Sequence, residues 1–288
     1  MPYAPSKARA IQTARPWPRP RVHGEPLGCT EDCYVPVPYD LIPPLTSARN
    51  LASEDKKLFA ALLAVSWSRL ESQRDPATLS PLRAPARRLR RVVGQPGERK
   101  NHRLRASLER LATVPVFPTG EGGAGPLVPL LSAYEITRTP DGDEATWRFD
   151  EAVNAVCAYP ARWSFLNLRS CRDFRCKHSM AFYVRLAGMA DLARRTWEID
   201  VTDLRAWLDV GDRYRDWSDL DRWAIRPAVD EINTKSDIRV SAKARPEPWG
   251  RTIRKVEFTV ETTVERWTAL HRRSSRSRNT PPARRPGL

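Results

Sequence analysis

The chain has 288 residues, 41% of them hydrophobic, which is enough for one large folded domain or two ordinary ones. Its 49 Lys and Arg against 34 Asp and Glu leave a net charge of +15 and a pI near 10.1; this excess favours a polyanionic partner, since each phosphate neutralised by Arg or Lys releases a condensed counterion. Residues 1–20 show no apolar signal-peptide core, and the best apolar run, Leu58–Trp67, is about half of the ~20 residues a membrane span needs, so secreted and membrane classes are disfavoured and the cysteines are expected reduced.

Residues 1–40 read as a flexible Arg/Pro-rich tail, because Arg-Pro pairs favour extended backbone and deny amide donors to a helix. A first folded region is expected over 41–165. Its first helix is predicted from Lys56 to Leu70 with Leu58, Leu62 and Val65 on one stripe and Ser53 as N-cap. Residues 74–91 are broken by Pro and then strongly basic. A second helix is predicted over Arg103–Ala112, with Leu104, Leu108 and Leu111 inward. Strands at Leu127–Thr137 and Thr146–Phe149 flank a TPDGDE turn. Helix, helix and hairpin make a small winged helix.

The region 166–264 repeats this plan. A helix is predicted over Lys177–Arg194 with Met180, Tyr183, Leu186, Ala187 and Ala190 on a broad apolar face. A short strand at Trp197–Val201 follows, then a helix capped by Thr202 and stopped at Gly211. Ser218 or Asp219 opens another helix to about Thr234, with Leu220, Ala224, Ala228 and Ile232 strictly four apart. Strands at Ile238–Ala242 and Ile253–Val260 close the set. The order α-β-α-α-β-β is that of a winged helix, whose second helix of the helix-turn-helix enters a groove beside a hairpin wing. Residues 265–288 read as a basic disordered tail. The fold class is thus α+β, two tandem winged helices between disordered tails.

The stretch Tyr214–Val240 resembles the C-terminal winged helix of the replication initiators of iteron-containing plasmids. The resemblance rests on Trp217-Ser218-Asp219, Arg222, Arg226-Pro227-Ala228-Val229, Glu231-Ile232-Asn233 and Ser236-Asp237. Cys176-Lys177 before a long helix and RKVEFTVE at Arg254–Glu261 agree with it, and LVPLLSAYEI and ATWRFDEAVNAVCAY resemble the hairpin and closing segment of the N-terminal winged helix. Trp223, where the family is usually basic, and Asp221 depart from the pattern. The resemblance implies a bacterial, cytoplasmic, plasmid-associated protein that binds repeats at a plasmid origin, helps open the duplex and recruits the host initiator and helicase machinery. It also implies a monomer–dimer equilibrium, with the first domain dimerising and the dimer repressing its own gene.

The candidate DNA contacts follow from charge and placement. Arg222 and Arg226, four apart, lie off the apolar line of the reading helix, where Arg can take guanine O6 and N7 or grip phosphate. Arg213, Arg215 and Ser218 lead into that helix, and Lys177 precedes the long one. Lys243, Arg245, Arg251, Arg254 and Lys255 surround Trp249 in the wing and suit phosphates or the minor groove. Arg87, Arg88, Arg90 and Arg91 form a dense patch that is either a second DNA contact or a solvated run.

Catalysis and cofactors find little support. Gly120–Gly125 lacks the Lys-Ser/Thr of a P-loop. His23, His102, His178 and His271 form no metal-binding pair beside a Tyr, as rolling-circle nicking would need. Cys29 and Cys33 with His23 have no matching second pair, a weak metal signal. His178, Cys171 and Cys176 read as packing or surface residues, and Glu198 and Asp200 as strand residues. The expectation is a binding protein without cofactor, with a winged-helix transcriptional regulator, and then a nicking or recombining enzyme, as the competing readings.

Overall fold

The computed structural model describes residues 27, 33–42, 51–70, 81–98, 100–116, 128–158, 163–190, 192, 195–247 and 252–271. Two copies of one arrangement account for most of them. In the first half, helix α1 (Ser53–Leu70) is followed by β2 (Leu82–Pro85), α2 (Ala86–Val92), α3 (His102–Ala112) and the hairpin β5 (Leu131–Thr139) and β6 (Gly142–Phe149). In the second, α6 (Ser179–Ala190) is followed by β8 (Thr196–Asp200), α7 (Val201–Leu208), the expected reading helix over residues 217–235, and the hairpin β9 (Ile238–Pro246) and β10 (Ile253–Thr262). Both sheets are antiparallel, and both put the last strand in the middle: β2-β6-β5 and β8-β10-β9. Each half is a winged helix.

The expected elements are present, with informative shifts. Helix α1 is buried on every side rather than along one stripe: Leu58, Phe59, Ala60, Ala61, Leu62, Leu63 and Ala64 are all essentially inaccessible. A helix apolar all round belongs at the centre of a fold, and α1 packs against the strand β1 (Tyr34–Pro38), α3 and α6 together. Its start is capped not by Ser53 but by Asp55, whose carboxylate accepts the Ala52 N–H at 2.7 Å and two bonds from Arg110 at 2.8 Å. The sequence pattern does not reveal the strand β2 and helix α2, because Pro81, Pro85 and the Arg run hide them. Leu82 and Ala84 alternate inward, Ala86, Leu89 and Val92 follow at helical spacing, and Pro85 sits harmlessly at the strand end.

Both expected tails are shorter than drawn. Residues Tyr34–Pro38 form a buried strand, β1, antiparallel to β7 (Trp163–Asn167) with Tyr34 opposite Asn167. Its alternate Pro residues are tolerated because the ribbon has only two strands, and the Trp67 indole N–H reaches the Pro36 carbonyl at 2.7 Å. The expected division at 165/166 falls inside β7. At the other end, α10 (Val264–His271) extends the fold past 264, with Arg266 fully buried. Residues 1–26, 28–32 and 272–288 of the expected tails lie outside the described residues.

The small ribbon β3 (Pro115–Val116) with β4 (Val128–Pro129), and helices α4 (Glu151–Ala158) and α5 (Leu168–Asp173), complete the structure. Asn167 caps α5 by accepting from the Arg169 and Ser170 amides. The halves share an apolar interior running from Leu27 to Val260. In the second half Phe182, Trp197, Trp207 and Phe258 pack as one aromatic cluster, Trp197 stacked on Phe258 at 5.3 Å. Lys57 crosses the seam, donating to the Phe174 carbonyl at 2.8 Å, and burial lowers its pKa.

Candidate nucleic-acid interface

The reading helix is built in three pieces: α8 (Trp217–Leu220), a π-helical turn (Asp221–Ile225) and α9 (Arg226–Lys235). Proline explains the middle piece. Pro227 has no N–H to donate, and its ring would strike the carbonyl four residues back in a regular helix. The wider turn, closed by the Arg226 N–H on the Asp221 carbonyl, lets the helix restart with Pro227 in its first turn, where a missing donor costs nothing. The predicted apolar line survives this: Leu220, Ala224, Ala228 and Ile232 are all fully buried.

Three consecutive residues fix the helix on three sides. The Glu231 carboxylate accepts from the Arg175 and Cys176 amides at 2.7 and 2.9 Å, from the Ser179 hydroxyl at 2.6 Å and from Lys235 at 2.6 Å. Partial burial pushes its pKa up, but hydrogen bonds from Lys235, Ser179 and the two amides outweigh this and hold it below the usual range. It therefore caps the start of α6 as an ionised acceptor. Ile232 enters the core. Asn233 pairs with Val240 like a neighbouring strand, donating to its carbonyl at 2.9 Å and accepting its amide at 2.7 Å, which ties the helix to the wing.

The opposite face points to solvent. Ser218, Asp219, Arg222, Trp223, Arg226 and Asp230 are exposed, as are Arg213 and Arg215 in the entry turn. That turn stops α7 at Asp209, which adopts a left-handed conformation (φ 52°), two residues before the expected Gly211. The Arg215 carbonyl accepts a bond from Arg205. Arg222 and Arg226 are held differently. Arg226, with its side chain 65% exposed, is ion-paired to Asp221 at 2.5 Å. The Arg222 guanidinium carbon lies 5.0 Å over the Trp223 ring. A ring takes no conventional hydrogen bond from a guanidinium, whereas a carboxylate occupies its N–H donors.

The wing is less positive than its basic residues suggest. Arg245 pairs with Glu257 at 2.8 Å, Lys255 with Glu198 at 2.8 Å, and Arg254 approaches Glu247 at 3.5 Å and Asp200 at 3.9 Å. Glu198 and Asp200 thus have the role of partners to basic side chains. Such exposed pairs contribute little to stability. Lys243 is exposed, opposite Glu257 in the register. Arg251 and Trp249 lie outside the described residues. Lys177 is exposed at the entry to α6, one residue past the Cys176 amide that Glu231 holds.

The basic run of the first half sits on α2, the counterpart of α7 rather than of the reading helix. Arg87, Arg88 and Arg91 are exposed on it. Arg90 is turned inward to Asn101, which donates to Asp143 at 2.6 Å, so it serves the fold. The counterpart of the reading helix is α3, preceded by exposed Lys100 and carrying exposed His102, Arg103 and Arg105. Sequence reasoning missed these, since the repeat is recognisable only once β2 and α2 are in place. Of the weak metal candidates, Cys33 is buried with its thiol pushed up to about 12 by that burial, and Cys29 and His23 lie outside the described residues. Cys171 and His178 are buried packing residues and Cys176 is half-buried.

Comparison with known proteins agrees with this geometry. Residues 200–260 match the family described as initiator Rep protein, WH2. Among solved structures, the crystal structure of Pi initiator protein in complex with iteron DNA is similar with a TM-score of 0.58 at 15% identity, covering 79% of this chain and 96% of that one. No curated protein matches the chain. The segment 200–260, from the end of β8 through the wing, is thus similar to the second winged helix of initiator Rep proteins, in a chain whose fold as a whole is similar to that of the solved initiator.

Proposed function

We propose that this protein is a plasmid replication initiator that binds repeated sites at its origin, promotes opening of the duplex and recruits host initiator and helicase proteins, without chemistry of its own. The observation that carries the reading is the reading helix of residues 217–235. It is pinned on three sides by Glu231, Ile232 and Asn233, with Arg222 and Arg226 on its free face. Rigid presentation of Arg from a helix beside a wing is what major-groove readout requires.

Arg213, Arg215, Ser218, Arg222 and Arg226 form the main contact, and Lys177, Lys243, Arg245, Arg251, Arg254 and Lys255 grip the backbone. In the first half, Lys100, Arg103 and Arg105 on and before α3 join Arg87, Arg88 and Arg91 as a second footprint. The first domain is also the surface for self-association, with the dimer repressing the gene. The protein acts in the bacterial cytoplasm on its plasmid; no helix among the described residues is long and apolar enough to cross a membrane.

The test is footprinting of the full chain on the DNA flanking its gene, together with replication of a plasmid carrying that DNA when the protein is supplied in trans. Protection of evenly spaced direct repeats, and replication that fails with Arg222→Ala/Arg226→Ala, is expected. A single protected palindrome with no replication function identifies a transcriptional regulator instead, and covalent protein–DNA adducts identify a nicking enzyme.

A further inference from the structure

Trp223 is 55% exposed in the middle of the reading helix, although the core beneath it is complete without it: Leu220, Ala224, Ala228 and Ile232 fill the buried line. Its exposed neighbours on the helix are Ser218, Asp219, Arg222, Arg226 and Asp230. The indole is thus one flat apolar surface set among charges, with the Arg222 guanidinium carbon 5.0 Å over its ring. A protein partner would need a wider apolar patch than one ring. Duplex DNA combines a polyanionic backbone with small isolated apolar groups, and in the major groove that group is the C5-methyl of thymine.

Residues 222 and 223 are adjacent in the π turn, where successive side chains point roughly a quarter-turn apart, so they address neighbouring base pairs when the helix lies in the groove. We propose that Trp223 is a specificity-determining residue that packs on the C5-methyl group of a thymine in the base pair adjoining the one contacted by Arg222. This rests on the DNA-binding reading above and deepens it.

The experiment uses the full-length protein. A preferred duplex is selected from a random pool, and each thymine is replaced in turn by uracil, which keeps every hydrogen-bonding group and lacks only the methyl. Wild type should lose about three- to fivefold in affinity at one thymine, the worth of one buried methyl. Trp223→Ala should lose a similar factor on the thymine duplex and show no further loss on uracil there, while Trp223→Phe keeps part of the discrimination. An equal uracil penalty in wild type and Trp223→Ala overturns the proposal, as does a selected duplex with no uracil-sensitive position. Selection of no duplex at all overturns the DNA-binding reading as well, which separates the two failures. Thermal melting checks each variant, and if Trp223→Ala is unfolded, Trp223→Gln makes the same comparison.

Discussion

Arg266 donates to the carboxylate of Asp237 at 2.7 Å, with both side chains buried. The other carboxylate oxygen takes the Tyr183 hydroxyl at 2.7 Å, and that hydroxyl accepts the Asn167 amide at 2.9 Å. Burial raises the phenol pKa far above its ordinary value, which keeps it a donor. Four elements therefore meet on one charge: β7, α6, the turn before β9, and α10. A fragment of residues 170–261 keeps the winged helix short only of Thr262, the last residue of β10, but strands Asp237 without its cation. Breaking a buried pair from one side costs about 3–5 kcal/mol. Urea melts should show 170–261 less stable than 163–271 by that order, with Arg266→Ala reproducing the loss in the full chain. Equal stability of the two fragments would remove α10 from the folded unit.

The Asp221–Arg226 pair sets a second expectation. To reach a base or a phosphate, Arg226 must leave Asp221, so the pair acts as a toll on every contact and is recovered only where the alternative is better. Asp221→Asn should tighten binding to scrambled duplex more than to the selected site. Arg226→Ala should cost about 1–3 kcal/mol with relaxed preference at one base pair if it reads a guanine, or reduce affinity evenly and the salt slope by about one unit if it holds phosphate. Unchanged binding by folded Arg222→Ala and Arg226→Ala would move the reading role to the wing or to α3.

Overall affinity should fall steeply with salt. About six neutralised phosphates give a slope of log K against log salt near −5. A slope near zero in filter binding or anisotropy titrations would mean that the basic surface does not meet DNA.

Stability should fall on mild acidification, through His178. Burial, then Lys177 and Lys56, lowers its pKa from the ordinary 6.5 to about 4. As pH drops the unfolded chain takes up the proton first, so this contribution is complete above 6.5 and lost between 6.5 and 4. Melting temperature should decline across that window, and His178→Gln should flatten the decline. An unaltered profile in the variant would place the acid sensitivity in other groups.

The second half was legible because its residues repeat cleanly. The four-residue spacing of Leu220, Ala224, Ala228 and Ile232, and the alternation of Val256, Phe258 and Val260, each match a buried face. What could not be read was non-local. Tyr34–Pro38 becomes a strand only because Trp163–Asn167 accepts it, and Arg266 is buried only because Asp237 waits for it. The Pro-broken stretch at 82–92 looked irregular for the same reason: β2 owes its existence to β6. Pro227 announced an irregular helix, but a π turn and a kink satisfy it equally, and no local pattern chooses between them. Pairing of Arg226 with Asp221, and of Arg90 with Asn101, depends on rotamers and neighbours that spacing does not encode.

The ribbon of β1 with β7 also governs the order in which this chain can acquire its shape. Val35 and Val37 have no accessible surface in the finished molecule, yet the strand that covers their edge is made well over a hundred residues later. A nascent chain leaving the ribosome carries that apolar edge unpaired until residue 167 has emerged. Closing so long a loop is entropically slow. The ribbon beneath α1 is therefore begun first but closed late, and a chain arrested between residues 149 and 163 would present an open strand edge, the kind of surface that chaperones hold and aggregates recruit.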